Sequence, residues 1–172
     1  MDFFDAIKTR HSIRAYAETA LEDEKLEQIL KAANQAPSAG NLQAYEIYLV
    51  KRGDLRAELA RAAYDQEFLA QAPIVLVFCA HPARSVGRYG KRGVELYCLQ
   101  DATIACTFAM LAATALGLST VWVGAFDEEK VRRIINAPQA HRPVAMLPVG
   151  YAAESPRLRP RRSLSDLIHY AQ

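Results

Sequence analysis

The stretch Glu95–Leu118, ELYCLQDATIACTFAMLAATALGL, decides how the rest of the chain is read. Its apolar residues fall on nearly every face of a helix, and Gly117 supplies a stop near the C-terminal end. A helix that is apolar all round must be covered all round. In a chain of 172 residues the other elements cover part of it, and a second copy of the chain covers the rest most simply. The sequence therefore predicts an isologous homodimer built partly on this segment. Its most apolar run, Ile104 to Leu118, is 15 residues long, short of the roughly 20 that span a bilayer. A buried core helix and no membrane partner are expected.

Outward from this helix, on its N-terminal side, Ser85 to Gly93 reads as a Gly-rich, basic connection. Before it, Ile74 to Cys79 is an apolar run typical of a strand enclosed on both faces. Leu55 to Phe68 reads as a helix and Tyr45 to Val50 as a β-branched and aromatic strand. Thr19 and Glu22 read as a capping box for a helix that carries Leu26, Ile29, Leu30 and Ala33 on one face and ends near Pro37. Asp2 is placed to cap a first short helix bearing Phe3, Phe4, Ala6 and Ile7. On the C-terminal side come a short strand at Thr120 to Val123, a helix at Asp127 to Ile135 and an apolar strand at Val144 to Gly150. An extended Pro- and Arg-rich tail from Ala152 to Arg162 and a short apolar piece, Leu164 to Ile168, complete the chain. No repeat or linker divides it, so residues 1–172 are expected to form a single α+β domain with a mixed central β-sheet flanked by helices.

Composition narrows the partners. The 51% hydrophobic content supports a core without disulfide or metal staples, and 21 basic against 19 acidic side chains leave a net charge of +2. That balance argues against a broad nucleic-acid or membrane surface. Cys79, Cys98 and Cys106 sit in apolar stretches without zinc or dithiol spacing and read as buried, reduced thiols. The N-terminus is amphipathic rather than a signal peptide, so a cytoplasmic protein is expected.

Four segments carry residues suited to chemistry. Arg10-His11-Ser12-Ile13-Arg14 sets two guanidiniums, an imidazole and a hydroxyl just after a short helix. Guanidinium forks match phosphate oxygens, and Ser and His add hydrogen bonds to phosphate or sugar hydroxyls. Alone, such a turn reads more readily as a solvated helix end. Pro37-Ser38-Ala39-Gly40-Asn41-Leu42-Gln43 is a loop of small residues with amide side chains, open to close approach by a flat ring, or an ordinary turn. Trp122 to Asp127 runs a strand into Gly124 before a new helix, where a backbone N–H can face a ligand at close range. Arg157, Arg159, Arg161 and Arg162 can close over a phosphate, or form a solvated basic tail, with nucleic acid a weaker option. There is no Gly-x-Gly-x-x-Gly after a strand, since Gly87, Gly90 and Gly93 precede a helix with no strand before them. No P-loop, zinc spacing or Ser elbow appears, and His81, His141 and His169 lack a carboxylate or thiol at ligand spacing, so no metal site is expected.

Together these segments resemble the FMN-dependent nitroreductase family, with similarity from Phe3 to about His169. The resemblance rests on Arg-His-Ser-Ile-Arg, the Pro37 to Gln43 loop, Arg88-Tyr-Gly-Lys-Arg-Gly with Gln100-Asp101, Val121 to Asp127, Leu147-Pro-Val-Gly-Tyr and Pro160-Arg-Arg. It implies a nitroreductase-like fold and a domain-swapped type of homodimer with the long helix buried at the interface. It implies FMN as cofactor, with Arg10 a phosphate ligand, Ser12 a ribityl or phosphate contact beside His11, and Arg14 near the ring edge where a cation stabilises reduced flavin. Pro37, Ser38, Ala39 and Asn41 would pack on the flavin from the other subunit, Gly124 would present its backbone N–H toward the flavin N5 with Val123 beside it as a further cofactor contact, and Arg161 and Arg162 would clamp the phosphate. Gln66 resembles, less closely, a ring-contacting position.

The implied activity is ping-pong transfer of a hydride from NADH or NADPH to the flavin and then to a small-molecule electron acceptor such as a nitroaromatic or a quinone. No catalytic acid or base is implied. A non-catalytic flavin-binding module would keep the same clamp without turnover. Two features depart from the family pattern. Ala44-Tyr45 follows Gln43 where Pro-Trp or Pro-Phe is common, and the chain has no room for the helical excursion over the substrate found in larger members. The resemblance therefore leaves the oxidant open and makes dehalogenating or flavin-fragmenting chemistry less expected.

Overall fold

The computed structural model describes residues 1–171 and builds its core on the strand β2, Ile74–Ala80, all of whose residues are buried. A strand enclosed on both faces has no need to alternate polar and apolar residues, and this one does not. β1 (Tyr45–Val50) pairs with it on one side, Tyr45 opposite Ala80. β4 (Arg142–Gly150) pairs on the other, Ile74 opposite Val149, with an irregularity between Phe78 and Cys79. β3 (Ser119–Thr120) completes the order β1-β2-β4-β3.

Every pairing among these strands is antiparallel. The expected mixed sheet is mixed only through an isolated parallel bridge between Ser12 and Thr120. The physical reason lies in strand order: β2 and β3 point the same way, as a helical crossover favours, but β4 is inserted between them and separates the parallel pair.

The two faces of the sheet are packed by different helices. On one, Ala105, Cys106, Ala109, Met110 and Ala113 of α6 (Cys98–Ala115) meet Leu26, Ile29 and Ala33 of α2 (Asp23–Asn34) over Leu76, Phe78 and Leu147. On the other, Leu59 and Ala60 of α3 (Gly53–Ala62), Leu69 of α4 (Phe68–Gln71) and Val131 of α7 (Glu128–Ile134) cover Val75, Val77 and Cys79. The alanine stripe of α6 brings the helix close to the sheet, and each fully buried Leu or Ile contributes roughly 1.5–3 kcal/mol. All three cysteines are free and buried, as expected.

Several local expectations hold and several do not. Asp2 caps α1 (Phe3–Thr9), its Oδ1 accepting from the Asp5 N–H at 3.0 Å. Gly117, at φ +76°, ends the α6 segment in the left-handed region. The Thr19 capping box does not form: Glu22 takes the cap position, but its carboxylate accepts from the Tyr151 hydroxyl at 2.7 Å instead of from the helix end. The helix expected over Leu55 to Phe68 breaks after Ala62, where Tyr64 and Asp65 adopt positive φ of 58° and 61°.

The expected connection Ser85 to Gly93 is instead helical, forming α5 (Ala83–Arg92), bent at Gly90, followed by a π-turn over Gly93–Tyr97 that joins it to α6. A Cβ at Gly93 would stand 2.7 Å from the Ser85 Oγ and 2.8 Å from its carbonyl, so this glycine is needed for close approach rather than for a loop. The continuous stretch Ala83–Ala115 is long and apolar enough to cross a membrane by length and composition. Its apolar face packs on α2 and the sheet, which is the environment of a core helix. The tail beyond Gly150 is extended up to the short α8 (Leu164–Leu167).

Candidate functional site

The site begins where α1 ends. At Arg10 the backbone leaves the helix (ψ 115°), and the next residues run extended. Alternation then sorts their side chains: Ile13 is buried in the core while Ser12 and Arg14 on either side are exposed. The Ser12 bridge and the Ile13 N–H, which donates to the Thr120 carbonyl at 3.1 Å, hold this segment to the edge of the sheet.

The tail returns antiparallel along the same segment. The Ala17 N–H donates to the Tyr151 carbonyl and the Ala153 N–H to the Ala15 carbonyl, each at 2.9 Å. The Glu154 carboxylate accepts from the Arg14 backbone N–H. Beyond this point Arg157, Arg159 and Arg161 recur every second residue in an extended chain, a period that presents them on one side. Together with Arg10, His11, Ser12, Arg14 and Glu154 they line a cavity of about 460 Å³. Five guanidiniums against one carboxylate make its wall strongly cationic.

Arg162 falls out of phase with this period and donates to the Asp166 carbonyl at 2.6 Å; it is not among the lining residues. Of the expected clamp, the structure therefore brings together Arg10, His11, Ser12, Arg14 and Arg161 and leaves Arg162 aside.

The loop containing Pro37, Ser38, Ala39 and Asn41 lies elsewhere. Asp101 of α6, only 2% exposed, organises it by accepting from the Ala39 N–H at 3.0 Å and from the Ala44 N–H at 3.2 Å. The Ser38 Oγ accepts from the Gln43 N–H at 2.9 Å, closing the loop on itself. Gly40 sits at φ +57°, and a Cβ there would meet the Tyr89 hydroxyl at 2.5 Å. None of these loop residues lines the arginine cavity of its own subunit. The sequence did not mark Asp101 as the loop's anchor, because the residues it serves are 57 and 62 positions away.

Val123, Gly124 and Gln66 form a third group. Val123 exchanges backbone hydrogen bonds with Met146 at 3.0 and 2.9 Å. Gln66 Nε2 donates to the carbonyls of Ala63 (2.8 Å) and Ala125 (3.1 Å), tying the end of α3 to the residue after Gly124. Gly124 lines a smaller cavity of about 210 Å³ with Leu99, Phe126, Glu128 and Arg142. A Cβ on Gly124 would press on the Trp122 Nε1 at 3.1 Å. The first and third groups lie on one short stretch of chain: the strand expected over Thr120 to Val123 is reduced to β3, whose Thr120 bridges Ser12, and an isolated bridge from Val123 to Met146.

The histidines are not all isolated. His81 and His141 lie with ring centroids 4.4 Å apart, and His81 Nδ1 is 2.8 Å from the Glu46 carboxylate. Sequence spacing gave no sign of this cluster, because strand pairing alone creates it.

Comparison with known proteins identifies the family and the fold. The family model described as Nitroreductase family matches residues 7–66 and 60–151, a span containing the Arg10 to Arg14 segment, the Pro37 loop and Gly124. A Bacillus subtilis protein named FMN reductase [NAD(P)H] is 29% identical over 178 residues, covering 95% of this chain and 71% of its own. The B. megaterium NfrA2 structure superimposes with a TM-score of 0.91 at 29% identity, covering 100% of this chain and 75% of its own. The Vibrio harveyi NADPH:FMN oxidoreductase, solved in complex with NAD+, gives a TM-score of 0.90 at 25% identity, covering 99% of this chain and 77% of its own. The chain belongs to the nitroreductase family.

Proposed function

We propose that this chain is an FMN-dependent oxidoreductase that draws electrons from NADH or NADPH and reduces small oxidants such as nitroaromatics or quinones, acting as a cytoplasmic homodimer. The observation that carries the reading is the convergence of Arg10, Arg14, Arg157, Arg159 and Arg161 on one cavity next to the Ser12–Thr120 bridge. A phosphate is the ligand such a set of guanidinium forks fits best, through paired charge-assisted hydrogen bonds. The names of the relatives, which include FMN reductases and an NADPH:FMN oxidoreductase, support FMN as the owner of that phosphate.

Arg10, Arg161 and their neighbours would hold the phosphate, with Ser12 and His11 adding hydrogen bonds and Arg14 adding charge to favour a reduced ring. Gly124 would admit a ligand close to the backbone, where any side chain would crowd Trp122. When bound, FMN supplies the redox chemistry, taking a hydride from the nicotinamide and passing electrons to the oxidant. The protein's part is to bind, orient and stabilise charge, so no side chain is assigned as acid or base.

The dimer is supported by apolar surface left uncovered in a single subunit. On α6, Phe108 is 37% exposed, and Ile104 and Leu111 on the same helical face are only partly buried. Phe3, Phe4 and Ile7 of α1 and Leu164, Leu167 and Tyr170 near the C-terminus are also exposed. A second subunit would also supply the Pro37 to Asn41 loop, which does not reach the cavity of its own.

The deciding experiment is the visible spectrum of the FMN-reconstituted protein, taken anaerobically before and after NADH or NADPH. Oxidised flavin bands at about 370 and 450 nm that bleach on addition are the expected result. A protein that cannot be reconstituted with FMN would overturn the reading. Bound flavin that neither nucleotide reduces would leave only a binding module.

A further inference from the structure

We propose that Glu46, His81 and His141 form a binding site for a divalent transition metal, with Zn2+ the best match, on the face of the sheet that carries α3 and α7. One ligand-capable atom from each of the three residues lies within 4.8 Å of the others. The residues come from three separate pieces of chain: β1, the residue after β2 and the residue before β4. Antiparallel pairing brings the three together, since Tyr45 lies opposite Ala80 and Ala80 opposite Arg142. The backbone is held at each histidine: the His81 N–H donates to the Ala44 carbonyl and the His141 N–H to the Pro138 carbonyl, both at 2.9 Å.

The donor set suits the cation. Two imidazoles and a carboxylate are the usual ligands of zinc in sites that keep an open position, and imidazole selects this part of the transition series over calcium or magnesium. The second shell is also in place. The Tyr48 hydroxyl lies 2.6 Å from His141 Nδ1 and engages that nitrogen, which leaves Nε2 as the ligating atom. Such a partner fixes the tautomer and the ring orientation of a metal-bound histidine. His81 and Glu46 are 21% and 38% exposed at their side chains, so the site is open to a cation from solvent. Ligands of tetrahedral zinc stand about 3.3 Å apart at the usual bond lengths, so binding needs the His81–Glu46 pair, 2.8 Å apart, to open slightly and the wider separations, up to 4.8 Å, to close. Solvent would fill the fourth position.

The site lies outside the arginine cavity, and its test does not depend on the flavin. Tag-free, full-length protein, freed of metal with a chelator, would be titrated calorimetrically with ZnCl2. One equivalent per chain and a raised Tm are expected. The double variant His81→Ala/His141→Ala should abolish that equivalent, and Tyr48→Phe should weaken it by about tenfold, as loss of a second-shell partner does. Zinc uptake by the double variant at the wild-type affinity would overturn the site, as would failure of the wild type to bind at sub-millimolar zinc. Should the double variant fail to fold, X-ray absorption on zinc-loaded wild type decides. Nitrogen and oxygen neighbours with imidazole scattering are expected, whereas sulfur neighbours would place the metal on a cysteine and end the proposal.

Discussion

At the scale of single residues, the arginine cavity and Glu22 show how differently placed charges act. The five guanidiniums line one cavity with a single carboxylate among them, so their mutual repulsion favours an anion there. Each charge-assisted hydrogen bond to a phosphate contributes about 1.5–3 kcal/mol. Arg10→Ala combined with Arg161→Ala is therefore expected to weaken FMN by about a hundredfold or more, since each 1.4 kcal/mol is a factor of ten. Flavin fluorescence on dilution measures this, and full occupancy in the double variant would dismiss the clamp. Glu22 is a case of a charge already satisfied. Its own backbone N–H, then the Tyr151 hydroxyl and the Lys25 ammonium, hold its carboxyl down to about 2 from an ordinary 4.5. A depressed carboxyl stabilises the fold above its unfolded value and loses that contribution as pH falls through its folded one. Wild type should thus lose stability between about pH 4.5 and 2, and Glu22→Gln should flatten this part of the profile in urea midpoints taken across the range. An unchanged acid limb would mean that the contact with Tyr151 does not form in solution.

At the scale of elements, the buried Asp101 links α6 to the Pro37 to Gln43 loop. Removing its carboxylate leaves two backbone N–H groups, those of Ala39 and Ala44, without this acceptor. At about 1–3 kcal/mol for each orphaned N–H, the Ala44 group buried and the Ala39 group half-buried, Asp101→Ala should cost about 2–6 kcal/mol in urea unfolding. It should also raise amide exchange in the loop, whereas Asp101→Asn, which keeps one acceptor oxygen, should recover part of the loss. An Ala variant with unchanged exchange would separate the loop from α6. How far the elements could be read from sequence follows from the range of the forces that set them. β2 was legible because burial on both faces writes itself into consecutive apolar residues, α6 because it is apolar on nearly every face, and the Asp2 cap because it acts three residues away. The Thr19 capping box was misread because Glu22 is claimed by Tyr151, 129 residues distant. α5 was misread because its glycines look like turn residues, while Gly93 in fact lets the helix pass Ser85. The same rule holds at the candidate site. The arginines were visible as two local clusters, Arg10 to Arg14 and Arg157 to Arg162, but the Glu46–His81–His141 cluster and the role of Asp101 depend on contacts made only after the sheet and α6 have packed.

At the scale of the whole molecule, two independent features of the single chain support the proposed homodimer. Its loop of small residues does not line its own arginine cavity, and its most apolar helix keeps one face uncovered. A two-fold pairing through α6 would account for both at once, because an isologous interface repeats each contact and would bring each loop to the other subunit's site. Assembly and cofactor binding would then be tied together in a way that can be broken at one point. Phe108 and Leu111 lie on the open face of α6 and make no essential part of the subunit core described by Leu76, Phe78 and Leu147. Phe108→Glu with Leu111→Glu should leave the subunit folded but place charges at the centre of the interface, twice over by symmetry. Burying an unpaired carboxylate costs several kcal/mol, so the dimer should weaken by roughly three orders of magnitude or more. Light scattering should report a monomer, circular dichroism a native helix content, and the flavin titration little or no FMN bound. A folded monomer that takes up FMN as the wild type does would separate the arginine cavity from the loop and assign the whole site to one subunit.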